Sequence, residues 1–343
     1  MGMFDHWHPI MPSRRLKKKP VRTTLNGKDL ALFRARSGHV GVLDEQCPHR
    51  RMRLSEGCVV GEKLMCRYHG WTFDCAGNGE SPGTPKMHAS ASIWDACEKH
   101  GYIWVKSKAS APVFPHFDVE GWCWMCTTEH FAHAPLELTM DNFCEIEHTP
   151  TIHDIFGYQM DHLKDVTVRV ETTDKTVTVI NHGVPKKLNF ILRYLIGIRK
   201  DYVFNDTWTT HFSPCYSVYD HLWMNPTTGA ESNVKWRMLI FFTPMQEMLT
   251  RVTAFTFAKS TWWVPPHGGL LAFRRLMRRK VGHEIELDVK ILSSLASYDP
   301  HMEGMKLSRF DKALMFNRER IERVYRGNDL AEPMPTLRYA ARE

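Results

Sequence analysis

Cys47-Pro-His49-Arg-Arg-Met52 and Cys66-Arg-Tyr-His69-Gly-Trp-Thr-Phe-Asp74 are the two stretches from which the fold of this chain is read. Each offers one thiolate and one imidazole, and sixteen residues separate His49 from Cys66. At the chain's own Cys and His frequencies, such a pattern arises by chance on the order of once in a thousand chains, so it carries information. Two short loops of this kind can hold a sulfide-bridged pair of irons, both Cys on one metal and both His on the other. Two Cys and two His can equally ligate one zinc. The surroundings are β-like rather than finger-like. Short apolar runs at 21–25, 30–34, 40–43 and 101–105 alternate with turn pairs such as Asn26-Gly27 and Ser37-Gly38, as in a small antiparallel β domain.

Beyond this domain the pattern changes. Ser107 to Pro115 has little periodicity and two prolines, and reads as a linker. A helix-compatible stretch at 136–147 then leads into β segments at 166–170, 176–180, 202–212, 216–224, 234–242 and 251–257. Helical stretches at 270–295 and 310–325 follow. Strands collected together with helices on either side predict an α+β fold: an N-terminal antiparallel β domain over 1–110 and a C-terminal antiparallel sheet with flanking helices over 111–343. Cys123-Trp-Met-Cys126 has no partner half-site and reads as strand packing, and Cys58 and Cys75 read as structural thiols.

Composition sets outer limits. The 343 residues, 43% hydrophobic and 11% aromatic, suffice for two cores. The longest strongly apolar stretch, Leu188 to Ile198, is interrupted by Arg193 and falls short of the ~20 residues a bilayer requires, so no integral membrane segment is expected. The first twenty residues lack the apolar core of a secretory signal, which predicts a cytoplasmic protein. The net charge is +7, but Arg14–Lys19 and Arg274–Lys280 hold ten basic residues and no acid. Basicity confined to two patches suits docking of an acidic partner rather than a nucleic-acid groove, and nucleic acid is not expected as a ligand. Arg274, Arg275, Arg278 and Arg279 beside Leu270, Leu271, Phe273 and Leu276 describe an amphipathic helix able to meet a reductase or a membrane surface.

A second constellation lies at Asn142-Phe-Cys-Glu145-Ile-Glu-His148-Thr-Pro-Thr-Ile-His153. The spacing of three places Asn142, Glu145 and His148 along one side of a helix, which Pro150 ends, so that His153 swings back toward His148. Two imidazoles and one distant carboxylate make a facial triad with positions open for dioxygen at Fe(II). With 19 His in the chain, coincidental pairs such as His130 and His133 also occur, and this pair is weak when taken alone. Glu284, Glu286, Asp288, Asp299 and Glu303 are the candidates for that distant carboxylate.

The flanks CPHRRM and CRYHGWTFD resemble Rieske proteins. Met52 and Tyr68 stand where respiratory Rieske proteins place an extra, disulfide-linked pair of Cys, so the loops are similar to those of Rieske oxygenases and related ferredoxins. Together the two constellations resemble the Rieske non-heme iron oxygenases, specifically the shorter type that includes the dicamba and vanillate demethylases. That resemblance implies a Rieske [2Fe–2S] cluster held by Cys47, His49, Cys66 and His69, followed by a helix-grip-like catalytic domain. In the family, Asn-x-x-Asp-x-x-His-x4-His supplies two His ligands and an acidic bridge. Here the matching residues are Asn142, Glu145, His148 and His153, with Glu in place of the bridging Asp. The run Glu286-Leu-Asp288-Val-Lys-Ile-Leu292 matches the family's late helix and nominates Asp288 as third ligand, with Glu284 second.

The resemblance further implies a terminal oxygenase that takes electrons from NAD(P)H through a separate ferredoxin or flavin reductase. It uses dioxygen to hydroxylate or oxidatively dealkylate a small aromatic, alkaloid or polycyclic substrate. A head-to-tail homotrimer is implied as well, in which His69 meets Glu145 of the partner subunit. Phe204, Trp208, Tyr219, Trp223, Phe241, Phe255 and Phe257 are candidate pocket walls. Two alternatives remain: aromatic cis-dihydroxylation, and a non-enzymatic electron carrier whose second half is only a ligand-binding fold.

Overall fold

The computed structural model describes residues 1–260 and 274–328. The chain divides into two compact units: 1–115 with 243–247, and 116–242 with 248–343.

The first unit is built from eleven short strands. β1 (His8–Pro12), β11 (Tyr102–Ser107) and β10 (Trp94–Lys99) form one sheet. β2 (Val21–Leu25), β3 (Lys28–Arg34) and β4 (Val40–Asp44) form a second. β5 (Cys58–Val60), β6 (Lys63–Met65), β7 (Thr72–Phe73), β8 (Asn78–Glu80) and β9 (Ala89–Ser90) form a third. The expected Asn26-Gly27 turn closes β2 on β3. Both residues have positive φ, 47° and 77°, the pairing demanded by a two-residue hairpin whose twist matches its strands. His100-Gly101, at 52° and 74°, does the same between β10 and β11.

β3 positions the first site. Leu30 and Leu32 enter a core with Ile10, Leu25, Val42, Ile103 and Val105, whereas Ala31 and Phe33 point the other way into a core with Leu54, Leu64, Phe73, Cys47 and Cys66. Period-two alternation thus feeds both faces of one strand, and the two thiols are anchored in the second core. The stretch expected as a linker packs on this unit: Phe114 lies 4.8 Å from Trp104 and 6.0 Å from Trp7, ring centroid to centroid.

The second unit is an α+β layer structure, as expected. Its seven-stranded sheet runs β12-β18-β17-β16-β15-β14-β13, from β12 (Cys123–Ala132) through β18 (Leu249–Ser260), β17 (Val234–Gln246), β16 (Cys215–Met224), β15 (Val203–Phe212) and β14 (Thr176–Gly183) to β13 (Thr167–Thr172). The Cys123/Cys126 pair lies in β12, and all nine cysteines are free thiols. Strict alternation along β15 buries Phe204, Asp206, Trp208, Thr210 and Phe212 on one face. Helices α1 (Leu136–Phe143) and α2 (Thr149–Ile152) precede the hairpins. A short α3 (Phe190–Ile196) separates β14 from β15, and α4 (Arg274–Leu292) and α5 (Lys312–Arg320) follow the sheet. α4 packs on β12 and α1, and α5 on β14. Residues 270–273 of the expected amphipathic helix lie outside the described residues. Among the described residues, no helix is long and apolar enough to cross a membrane.

Candidate metal centres

In the first unit two loops repeat one backbone design. The Cys47 N–H donates to the Met52 carbonyl at 2.8 Å and the Cys66 N–H to the Trp71 carbonyl at 2.7 Å. Conversely, the Cys47 carbonyl accepts from Arg51 N–H at 2.8 Å and the Cys66 carbonyl from Gly70 N–H at 3.0 Å. The fifth residue of each loop, Arg51 or Gly70, adopts positive φ, 58° or 72°. Arg51 therefore holds a left-handed conformation that its counterpart leaves to glycine.

Both thiols end up buried and in mutual contact, while His49 and His69 are exposed with ring centroids 4.5 Å apart. Burial pushes the Cys47 thiol up to about 11, and the neighbouring Cys66 adds to this, whereas backbone N–H groups of His49 and Arg50 work the other way by donating to its sulfur. Two sulfurs inside and two imidazoles at the surface are the donor set a [2Fe–2S] pair requires. Trp71 stacks on His49 at 4.6 Å and 10°.

The second site gathers residues from three elements. The helix expected over 136–147 breaks instead: α1 ends at Phe143, and Glu145 lies in the turn before α2. The cause is the Glu145 carboxylate, whose Oε2 accepts from the N–H groups of Glu147 and His148 and so offers the backbone an alternative to helical bonding. Pro150 begins α2 rather than ending α1, since its missing N–H costs nothing in a first turn. His148 and His153 thereby flank a four-residue helix, and their Nε2 atoms approach to 3.0 Å.

Asp288 on α4 faces them. Its Oδ1 is 3.2 Å from each Nε2, and these three ligand atoms form a tight group. Cis ligands held about 2.1 Å from one metal lie about 3 Å from each other, so the donor set and its spacing fit a single ion. Of the other carboxylates, Glu284 lies one turn back on α4, 3.1 Å from His153 Nδ1, and accepts from the N–H groups of Asp154 and Ile155. Glu286 meets His130, Asp299 meets His301, and Glu303 is exposed, so none of these three joins the group.

Electrostatics hold the group together. Burial lowers the His148 imidazole, but hydrogen bonds and charge from Asp288 and Glu145 prevail and raise it to about 10. His153, likewise opposed by burial, is raised to about 9 by Asp288 and Glu284. Burial favours a protonated Asp288, yet the two imidazoles hold it down to about 2. A metal ion would replace the protons as the cation of this buried set. Around the ligands, Glu145 Oε1 accepts from His148 Nδ1, and Asn142 Nδ2 donates to Asp288 Oδ1 at 3.1 Å.

A cavity opens from these ligands onto the sheet. Trp208 and Tyr219 line it, whereas Phe204 and Trp223 do not. Phe241, Phe255 and Phe257 instead group around Phe117. Sequence reasoning missed Asp206 and His221, which also line the cavity. They are cross-strand partners on β15 and β16, with His221 Nε2 2.9 Å from Asp206 Oδ1. Alternation of both strands with aromatic residues was the available signal. Trp208 Nε1 and His221 Nδ1 have no hydrogen-bond partner, which leaves polar atoms free to meet a ligand.

Comparison with known proteins bears on the first unit and on the fold. Residues 6–107 match the family of the Rieske [2Fe–2S] domain. The chain as a whole has the fold of the solved Rieske oxygenases. Dicamba monooxygenase bound to 3,6-dichlorosalicylic acid superposes with a TM-score of 0.75 at 19% identity, covering 96% of this chain and 99% of that one. NdmA of Pseudomonas putida CBB5 with caffeine gives 0.69 at 16% identity, covering 93% and 89%. Among curated relatives, the oxidoreductase NdmD of Pseudomonas putida is 36% identical over 107 residues, 29% of this chain and 18% of its own length. The 4beta-methylsterol monooxygenase of Methylococcus capsulatus is 42% identical over 74 residues, 21% of this chain and 20% of its own. The chain thus spans a fifth or so of the length of these two relatives.

Proposed function

We propose that this chain is a terminal oxygenase that accepts electrons at its Rieske domain and spends them, with dioxygen, on hydroxylating or oxidatively dealkylating a small organic molecule. The observation that carries this reading is the convergence of His148, His153 and Asp288 on one point at the wall of a cavity, in a chain that also has a Rieske domain. A non-heme iron bound there supplies dioxygen activation next to the cavity. The protein's own groups set up that chemistry. Glu145 accepts from Nδ1 of His148 and so fixes the tautomer that presents Nε2 inward. Glu284 places its charge 3.1 Å from His153 Nδ1, and Asn142 orients the Asp288 carboxylate. The Tyr219 hydroxyl donates to the Phe143 carbonyl, tying the end of α1 to β16. Trp208 and His221 line the space a substrate would occupy, and each keeps a buried nitrogen without a hydrogen-bond partner, while Phe156, Met238 and Ile240 give it apolar walls.

The electrons come from NAD(P)H through a ferredoxin or flavin reductase in the cytoplasm. In a head-to-tail homotrimer the exposed His69 reaches Glu145 of the partner subunit, and Glu145 relays to His148; exposure of both imidazoles of the Rieske loops supports this arrangement. Iron and sulfide analysis of the holoprotein tests the reading. About three irons and two acid-labile sulfides per chain are expected, and two irons would identify an electron carrier instead. A panel of aromatics, alkaloids and sterols, scored for substrate-dependent consumption of NAD(P)H and dioxygen with a surrogate reductase, then identifies the substrate class.

A further inference from the structure

Within the apolar stretch Leu188 to Ile198, Ile196 and Ile198 are buried, but two aromatic side chains stay on the surface. α3 carries Phe190 and Tyr194 at a spacing of four, on one side of the helix, and they are 80% and 74% exposed. Both exceed by far what a large apolar side chain ordinarily leaves in water. Cations flank them along the chain: exposed Lys187 before the helix, half-buried Arg193 within it, exposed Arg199 and Lys200 after it, with Asp201 as the one acid between 187 and 201, whereas Lys186 turns its ammonium to the His153 carbonyl. Gly197 fixes this arrangement. Its φ of 82° closes the helix with hydrogen bonds from Gly197 and Ile198 N–H to the Arg193 carbonyl, and a Cβ there would stand 2.4 Å from Asn233 Nδ2. The chain is thereby turned so that Arg199 and Lys200 remain exposed. A cleft of about 590 Å³ lies beside the helix, lined by Lys187, Arg193, Arg199, Tyr202 and Trp223 among others.

From the composition and exposure of this segment we infer that residues 187–200 dock the protein on an anionic lipid bilayer, Phe190 and Tyr194 entering the headgroup boundary and the exposed Lys187, Arg199 and Lys200 facing lipid phosphates. Exposed aromatics bordered by cations, on a helix too short to span, make an interfacial element. The charge is complementary to an acidic leaflet. Packed aromatic rings lie between this cleft and the second site. Trp223, on the cleft, packs on Phe204 at 5.1 Å and Phe156 at 6.5 Å, and Phe156 packs on His221 at 4.7 Å in the cavity of the second site. Where the oxygenase reading holds, this names the substrate class as a bilayer-dissolved molecule.

Sedimentation of the holoprotein with vesicles tests the docking directly and without turnover, so its failure leaves the oxygenase reading standing and a failed substrate panel leaves the docking standing. Binding is expected to phosphatidylcholine vesicles containing roughly one-third phosphatidylglycerol, and not to pure phosphatidylcholine. Salt at about 0.5 M releases it. F190S/Y194S removes binding, and R199E/K200E weakens it by roughly tenfold or more. Both double variants alter exposed residues, and an unchanged near-ultraviolet circular dichroism spectrum together with retention of the third iron verifies folding of the second unit in each. Indifference of the wild type to anionic vesicles, or equal binding by both variants, overturns the proposal. So does a change in oligomeric mass in F190S/Y194S, which would assign this face to a second copy of the chain.

Discussion

The two metal-binding constellations are built by opposite means. In the first unit, four donors come from two tight loops within 23 residues, with sulfurs in the core and imidazoles at the surface. In the second, donors 140 residues apart meet inside the fold, and each ligand imidazole has a carboxylate within 3.1 Å of its far nitrogen. The first is a rigid local device that presents its histidines outward, as electron exchange requires. The second depends on α4 being correctly placed against α1 and α2, which suits a site that must enclose a reaction. The difference predicts that the sites fail independently.

Cys66→Ser breaks the comparison most severely. Losing a core-anchored sulfur removes the cluster, so the expected product is a colourless protein with no turnover that still binds about one iron. Asp288→Ala is the mirror experiment: iron content falls by one per chain, turnover is lost, and the visible spectrum of the cluster is unchanged. If Asp288→Ala bleached the cluster, the independence of the two sites would be refuted.

The same contrast explains what was legible in the sequence. The loops of the first site carry residue types, spacing and flanks in one short window, and even their hairpin neighbours announced themselves through Asn26-Gly27. Asp288 is one of five late candidate acids, and nothing local distinguishes it; only the resemblance selected it. A spacing of three at Asn142, Glu145 and His148 is the same in an unbroken helix or a broken one. The decision lay in the Glu145 carboxylate capturing two N–H groups, a contact without a sequence signature of its own. Asp206 and His221 escaped because a polar residue on an alternating strand reads as solvent-facing until the register pairs it with another. α3 escaped because Leu188 to Ile198 reads only as an apolar run too short to span a bilayer.

Glu145 sharpens the comparison at the next level of effect. It touches His148 but belongs to no metal group, so Glu145→Ala should keep the cluster spectrum and the iron count while turnover falls by roughly 10- to 100-fold or more. Loss of iron as well would assign it a structural role. Glu145→Asp restores the acid that the family pattern has at this position. Recovery of most of the lost turnover is expected if charge at His148 matters, and none if the longer reach of Glu is what the site is built around.

The smallest effect concerns the first unit in acid. His8 on β1 is fully buried, and burial is the main reason its imidazole is lowered to about 3; its Nε2 hydrogen-bonds to the Met3 carbonyl, 2.8 Å away. The folded protein thus keeps neutral a group that titrates near 6.5 when unfolded. Stability tied to His8 is fully present above that value and is lost as the pH falls from 6.5 toward 3, by on the order of 3 kcal/mol at pH 4. In His8→Gln, which retains a donor for Met3, urea unfolding followed by cluster absorbance should show a shallower loss of stability over this range. The second unit has its own lowered histidine, His211, held at about 4 by burial, so its fluorescence transition should keep its acid slope in the same variant. If both transitions flatten together, the units unfold as one, and the independence argued from their metal sites does not extend to their stability.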